Sequence, residues 1–133
     1  MIYLLDTNVC VVYLNQPHSL VAEQLHRCHL PDIVVCSLVK AELFFGAMKS
    51  QNPEKTLAKQ KRFLSAFRSL PFTDAAAEIF GQIRADLQRQ GKPIGPYDLQ
   101  IAAIALANDL TLVTHNTQEF NRIKGLRLVD WEV

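Results

Sequence analysis

Residues 2–5 form an apolar run that ends directly in the polar triplet Asp6-Thr7-Asn8, and this junction most constrains the fold of the chain. A short, continuously apolar run is typical of a strand that is covered on both faces, as in a parallel sheet. Residues 9–14 are apolar again, so the triplet lies at a turn from strand to helix. In open α/β sheets, ligands bind beyond the carboxyl ends of the strands. The simpler alternative is that Thr7 or Asn8 only caps the following helix.

The rest of the chain alternates predicted helices with predicted short strands. Apolar residues at helical spacing indicate the helices, and prolines and glycines separate them from extended segments. This alternation predicts an α/β fold with a central, twisted parallel sheet flanked by helices in three layers, built as a single domain over residues 1–133. The predicted helices cover residues 9–14, 19–28, 37–49, 52–69, 73–91 and 99–106, and the predicted strands cover residues 2–5, 33–36, 70–72, 111–114 and 126–129.

Composition limits the classes of function that are open to the chain. With 133 residues, 49% of them hydrophobic and 20% charged, it is predicted to be globular and not disordered. The net charge of +1 neither favours nor excludes a polyanionic partner. Three cysteines without a Cys-x-x-Cys pair predict free thiols, and His26 with His29 lacks the second pair of ligands that a zinc finger needs. Neither a signal peptide nor a membrane-spanning stretch is evident, so we expect a soluble, cytoplasmic protein.

Four of the thirteen carboxylates are not explained by polar helix faces, caps, turns or the terminus. Asp6 and Glu119 follow predicted strands, whereas Glu42 and Asp98 lie in helices that are otherwise apolar. A carboxylate on a buried face is costly unless a partner compensates its charge, and no basic residue lies within one helical turn of Asp98. Bound divalent cations best explain how several unpaired carboxylates can share one edge of a sheet, because they compensate the negative charges. Oxygen ligands of this kind favour Mg²⁺ or Mn²⁺.

Four short motifs carry a resemblance to a known family. They are Leu-Leu-Asp-Thr-Asn at the start, Ser-x-x-x-x-Glu ending at Glu42, Pro-Tyr-Asp-x-x-Ile-Ala around Asp98, and Val-Thr-His-Asn-Thr-x-Glu-Phe before residue 121. In this order and at these intervals they resemble the PIN-domain nucleases, and the whole chain is similar to the VapC toxins of bacterial type II toxin–antitoxin pairs. The resemblance implies an endoribonuclease that depends on Mg²⁺ or Mn²⁺ and is inhibited by a cognate VapB-type antitoxin. Similar proteins form homodimers and hetero-oligomers with the antitoxin.

The resemblance also extends to the substrate and to single residues. The sequence Ile-Gly-Pro-Tyr-Asp is similar to that of toxins that cut initiator tRNA in the anticodon loop. Asp6, Glu42 and Asp98 match the family's catalytic, metal-binding acids. Many members carry Asp where this chain has Asn116, so we expect Asn116 to be a neutral or water-mediated metal ligand and Glu119 to be a candidate fourth acid. The residues expected to support the site by hydrogen bonding are Thr7, Asn8, Ser37 and Thr114.

Two other classes of protein share some of these features. A phosphoacceptor receiver domain has a similar length and an acidic cluster at its strand ends. It needs a pair of adjacent acids early in the chain, and Asp6 has no acidic neighbour. A non-catalytic PIN-fold module that binds RNA or protein would keep the fold without the chemistry. Intact Asp6, Glu42 and Asp98 argue against such a module, and an activity assay separates it from a nuclease.

Several further side chains are open to two interpretations. Lys55, Lys59 and Arg62 share one helix face, which is either a solvated surface or a basic rim that guides RNA phosphates toward the acids. His115 either contacts substrate phosphate or is solvated. Phe45, like the other phenylalanines of these helices, is assigned to the core.

Overall fold

The computed structural model describes all 133 residues and shows five short strands among seven α-helices. A single turn of 3-10 helix at Leu30–Asp32 precedes the second strand. In chain order the elements are β1 (Tyr3–Leu5), α1 (Thr7–Asn15), α2 (Leu20–Arg27), β2 (Ile33–Cys36), α3 (Ser37–Met48), α4 (Pro53–Leu64), β3 (Arg68–Leu70), α5 (Asp74–Arg89), α6 (Pro96–Ala107), β4 (Thr111–Val113), α7 (Thr117–Phe120) and β5 (Arg127–Val129).

All five strands are parallel and lie in the order β3-β2-β1-β4-β5. The central strand is β1, with β2 on one side and β4 on the other, so the chain reverses its direction across the sheet at β1. Such a reversal leaves a crevice at the carboxyl ends of the strands, where the ligands of α/β proteins bind. The predicted α/β fold, with a parallel sheet flanked by helices, is confirmed.

Helices cover both faces of the sheet. Because crossovers between parallel strands are right-handed, α1 to α4 lie on one face and α5 with α6 on the other. Within each group the helices pack together, α1 against α2 and α3, α3 against α4, and α5 against α6, and α3 also contacts α6. Leu99 and residues 101–105 of α6 are buried in a core of 29 apolar residues, which explains why this helix is almost wholly apolar. None of the helices combines the length and the apolarity that crossing a membrane requires.

The segment after α4 differs from the prediction. We expected a helix as far as residue 69 and an extended piece at 70–72, but α4 ends at Leu64 and β3 covers Arg68–Leu70. Pairing with the sheet overrides the helical pattern here, since Ser69 pairs with Val35 of β2. Pro71 falls just outside the strand, because proline has no N–H to donate to a neighbouring strand.

Two smaller differences lie near the proposed site. The short helix α7 at Thr117–Phe120 was not predicted, and Phe120 anchors it by complete burial. The assignment of Phe45 to the core is wrong, because α3 presents this ring to solvent with 64% of its surface exposed. The ammonium of Lys49 lies 4.5 Å from the centre of the Phe45 ring.

Candidate active site

Asp6 is the one acid of the chain that is almost completely buried, with 6% of its surface exposed. It follows β1 and is the N-cap of α1, where its Oδ1 accepts a hydrogen bond of 2.8 Å from the N–H of Thr7. Its Oδ2 accepts a hydrogen bond of 2.8 Å from the hydroxyl of Thr114. Burial raises the pKa of Asp6, the two hydrogen bonds oppose that rise, and the charge of Glu42 adds to it. Asp6 is therefore a helix cap and a desolvated acid at once.

Thr114 joins the carboxyl ends of β4 and β1. Its side chain is completely buried, and its hydroxyl donates to Asp6 while accepting a hydrogen bond of 3.1 Å from the N–H of Asn116. A threonine hydroxyl has one donor and two acceptor sites, so both bonds form together. Thr114 thus orients the carboxylate of Asp6 and holds the start of the loop that carries Asn116.

Glu42 reaches the site from α3, which follows β2. Its Oε1 accepts a hydrogen bond of 2.6 Å from the hydroxyl of Thr7. Thr7 therefore contacts two acids, Asp6 through its backbone N–H and Glu42 through its side chain. Hydrogen bonds to charged acceptors are short and strong, so this residue fixes α1 and α3 relative to each other at the acidic edge.

Asp98 lies in the first turn of α6, and its half-buried carboxylate has neither a hydrogen-bond nor an ion-pair partner. Burial raises the pKa of Asp98 to about 6, and the charges of Asp6, Glu119 and Glu42 contribute further. Charges in water are screened beyond about 10 Å, so the three acids that raise the pKa of Asp98 lie near it. The structure therefore brings all four predicted acids to one electrostatic centre.

Asn116 and Glu119 form a pair. The Nδ2 of Asn116 donates a hydrogen bond of 2.7 Å to Oε2 of Glu119, and Nη2 of Arg122 lies 3.8 Å from Oε1 of Glu119. The chain turns at Thr117, where α7 begins, and this turn brings Glu119 back to the centre in which it raises the pKa of Asp98. The two alternatives for the fourth site residue are thus neighbours and hydrogen-bond each other.

Two of the residues predicted to support the site do not hydrogen-bond to the acids. Asn8 is exposed and lines a cavity of about 370 Å³ together with Asp6 and Asn116. The hydroxyl of Ser37 donates to the backbone oxygen of Leu70 at 3.5 Å, which links α3 to β3 instead of to the acidic centre. Thr7 and Thr114 are therefore the two predicted supporting residues that contact the acids directly.

Known proteins share this fold over almost the whole chain. The family model described as PIN domain matches residues 3–126. A Shigella flexneri protein named tRNA(fMet)-specific endonuclease VapC is 42% identical over 129 residues, 97% of each chain, and ribonuclease VapC2 of Rickettsia felis is 38% identical over 133 residues, 99% of each chain. A chain in the crystal structure of DNA-bound VapBC from Salmonella typhimurium superposes with a TM-score of 0.92 at 38% identity, covering 98% of both chains. The chain belongs to the VapC group of PIN-domain ribonucleases.

PIN-domain nucleases depend on divalent metal ions, and the acids of this VapC chain fit such a cofactor. The carboxylate of Asp98 is desolvated without a partner, which a cation would supply. The oxygens of Asp6, Glu42 and Asp98 are not gathered within 4.8 Å of one another. That spacing leaves room for the waters that Mg²⁺ keeps in its coordination shell.

A second group of polar side chains borders the acidic edge of this PIN domain, and its two acids lie outside the motifs. The Nδ1 of His115 lies 2.9 Å from Oδ2 of Asp130 and 3.9 Å from Oε2 of Glu132. His115 and Glu132 line the cavity that also contains Asp6. Asp130 directly follows β5, so the position of an acid after a parallel strand was the signal available in the sequence. From the sequence alone, Asp130 and Glu132 are predicted to be ordinary turn and terminal acids.

The two buried cysteines of this VapC chain are unsuited to covalent catalysis. Burial raises the pKa of Cys36 to about 11 and raises the pKa of Cys10 further. Thiols in this state are protonated at neutral pH and are poor nucleophiles.

Proposed function

We propose that the chain is the toxin of a type II toxin–antitoxin pair, a single PIN domain that hydrolyses RNA phosphodiester bonds with Mg²⁺ or Mn²⁺ in the cytoplasm. The observation that carries the proposal is the electrostatic centre around Asp98, where four acids meet without a cationic side chain to neutralise Asp98. Such a centre lowers the stability of the metal-free protein, and a bound divalent cation would offset that loss. The ribonuclease names of its relatives support RNA as the substrate.

In this proposal the acids together form a metal site. Asp6, Glu42 and Asp98 hold the metal, with Asn116 as a neutral ligand and Glu119 as the fourth acid. A bound divalent cation supplies a water of lowered pKa and neutralises the charge that builds on the phosphoryl oxygens. The protein supplies position: Thr7 and Thr114 hold the carboxylates of Glu42 and Asp6 in fixed rotamers by hydrogen bonds of 2.6 and 2.8 Å.

The relatives support proposals for the substrate and the partner. Because a relative 42% identical to this chain is named a tRNA(fMet)-specific endonuclease, we propose initiator tRNA, cut in its anticodon loop, as the substrate. Because the Salmonella relative was solved as a DNA-bound VapBC, we propose a VapB-type antitoxin as the inhibitor and partner in a hetero-oligomer. A homodimer of the toxin is part of the same proposal.

The decisive experiment incubates the purified chain with initiator tRNA, with an elongator tRNA as control, and maps new RNA ends by sequencing. We expect cleavage of initiator tRNA with Mg²⁺ or Mn²⁺, none with EDTA, and none by Asp98→Asn. Cleavage that persists in EDTA would overturn the metal-dependent mechanism. A folded wild-type protein that binds RNA but cleaves none with either metal would identify the chain as a non-catalytic module.

A further inference from the structure

His115, Asp130 and Glu132 bring three side chains of metal-binding type together at the carboxyl end of the sheet. The N–H of Thr114 donates a hydrogen bond of 3.0 Å to the backbone oxygen of Val129, which continues the pairing of β4 with β5. His115 and Asp130 follow these two residues directly, so the paired backbones place them side by side. One ligand atom from each of the three side chains lies within 4.8 Å of the other two. The fold therefore gathers one imidazole nitrogen and two carboxylate oxygens.

The buried ring of Trp131 fixes the backbone between the two acids. Only 6% of this residue is exposed, and its ring centre lies 5.3 Å from that of Tyr3 on β1. Asp130 is oriented further by its own Oδ1, which accepts a hydrogen bond of 2.9 Å from the N–H of Glu132. Its other oxygen, Oδ2, lies 2.9 Å from Nδ1 of His115. The carboxylate of Asp130 is thus held toward the imidazole.

The charges of this cluster do not balance when both acids are ionised. The Nδ1 of His115 faces both carboxylates, at 2.9 Å from Oδ2 of Asp130 and 3.9 Å from Oε2 of Glu132. A single imidazole offsets at most one negative charge, and neither acid has a lysine or an arginine as an ion-pair partner. The two acidic side chains are also partly withdrawn from water, with 14% and 28% of their surfaces exposed. At least one negative charge therefore remains for a cation to compensate.

The separations of the donor atoms fit a zinc ion. Zinc binds imidazole nitrogen and carboxylate oxygen at about 2.0–2.2 Å, so two donors in its tetrahedral shell are about 3.3 Å apart. The separations of 2.9 and 3.9 Å from Nδ1 of His115 lie on either side of this value, and small rotations of the partly exposed side chains would bring both to it. When Nε2 carries the proton, Nδ1 presents a lone pair to the ion. Because imidazole suits Zn²⁺ and Mg²⁺ prefers oxygen ligands, the cluster favours zinc.

We propose that Nδ1 of His115 and the carboxylates of Asp130 and Glu132 bind one Zn²⁺ ion, with a water molecule as the fourth ligand. The cavity of about 370 Å³ that His115 and Glu132 line has room for that water. None of the acids of the proposed nuclease centre is a ligand, so the proposal goes beyond the ribonuclease function and does not depend on it. The ion connects the loop that leads into α7 with the segment after β5, and it thereby stabilises the folded chain.

The test measures zinc binding in the presence of excess Mg²⁺, which occupies sites made of oxygen ligands alone. The full chain competes with a fluorescent zinc chelator, and the melting temperature is followed over the same zinc concentrations. We expect one Zn²⁺ per chain and a melting temperature that rises with the logarithm of free zinc. His115→Gln and Glu132→Gln should each weaken zinc binding by about tenfold or more, since even residues that only orient a metal ligand contribute that much.

Two control variants locate the ion. His18→Gln removes an exposed histidine that lies outside the cluster, and it should leave the zinc affinity unchanged. Asp98→Asn removes an acid of the proposed nuclease centre and should also leave the zinc affinity unchanged, because Asp98 is not a ligand of this ion. Melting temperatures measured in EDTA establish that each variant is folded.

Four results would overturn the proposal. They are no zinc binding by wild type in excess Mg²⁺, unchanged zinc affinity after His115→Gln or Glu132→Gln, an equal loss of affinity in His18→Gln, and loss of zinc binding in Asp98→Asn, which would place the ion at the acidic centre. Since no cleavage is measured, failure here is distinct from failure of the ribonuclease activity, which the tRNA assay tests on the wild-type chain.

Discussion

At the scale of single residues, Asp98 carries a charge that its surroundings disfavour. Replacing it by Asn removes that charge and breaks no hydrogen bond, because the carboxylate makes none. We expect Asp98→Asn to raise the melting temperature of the metal-free protein near neutral pH by on the order of 3 °C, measured by differential scanning fluorimetry in EDTA.

Asp6→Asn is the matched control for this substitution. It removes a charge from the same centre, but the carboxylate of Asp6 accepts hydrogen bonds from both Thr7 and Thr114. An amide has a single acceptor oxygen, so one donor loses its partner. Asp6→Asn should therefore stabilise the protein less than Asp98→Asn does, or destabilise it. An equal or larger gain for Asp6→Asn would contradict this account of the centre.

The raised pKa of Asp98 also predicts how stability depends on pH. Its folded-state value of about 6 lies above the ordinary 3.8, so folding favours the protonated form. The resulting stability is fully present below about pH 4 and is lost as pH rises through about 6. In metal-free urea titrations, we expect the stability advantage of Asp98→Asn over wild type to be small near pH 4 and to grow up to about pH 7. An advantage independent of pH would show that Asp98 is not desolvated.

At the scale of elements, the loop from β4 into α7 determines which side chain completes the site. We expect Glu119→Gln to weaken the apparent Mg²⁺ affinity more than it lowers the rate at saturating metal, because the carboxylate belongs to the centre around Asp98. Asn116→Ala should do less damage, losing its hydrogen bond to Glu119. Asn116→Asp should tighten metal binding and destabilise the metal-free protein, since it places two carboxylates at hydrogen-bonding distance.

A metal titration of these three variants separates the alternatives, with exposed Glu78→Gln on α5 as the control for a simple loss of charge. If Glu119→Gln titrates like wild type, the site rests on Asp6, Glu42 and Asp98 alone. If Glu78→Gln shifts the titration as much as Glu119→Gln, the effect is one of net charge and not of coordination.

Elements with strong local patterns were predictable, and those that depend on distant partners were not. The run before Asp6 and the apolar helix after Asp98 follow from hydrophobic pattern alone, and both lie where expected. In contrast, β3 forms because it pairs with β2. The helical spacing of the preceding apolar residues predicted a helix there instead. The four acids could be chosen from the sequence because each lacked an ordinary explanation. The contact of Thr7 with Glu42 could not be predicted in this way, because it depends on how α1 packs against α3.

At the scale of the whole molecule, a divalent cation should act as a stabilising ligand. A ligand that binds only the folded state raises its stability in proportion to the logarithm of its concentration, once it exceeds the dissociation constant. We expect Mg²⁺ or Mn²⁺ to raise the melting temperature of wild type progressively and to raise that of Asp98→Asn much less. The two proteins should therefore exchange their order of stability as metal is added. Parallel curves would show that Asp98 does not hold the cation.

The hydrogen bond between Thr114 and Asp6 joins two residues that are 108 positions apart in the chain. During synthesis, β1 emerges from the ribosome early but waits for β4 as its second neighbour. Until Thr114 has also emerged, the Asp6 carboxylate lacks one of its two donors, and the loop that carries Asn116 has no anchor. A nascent chain therefore lacks the complete acidic centre until the segment that carries Thr114 has been made.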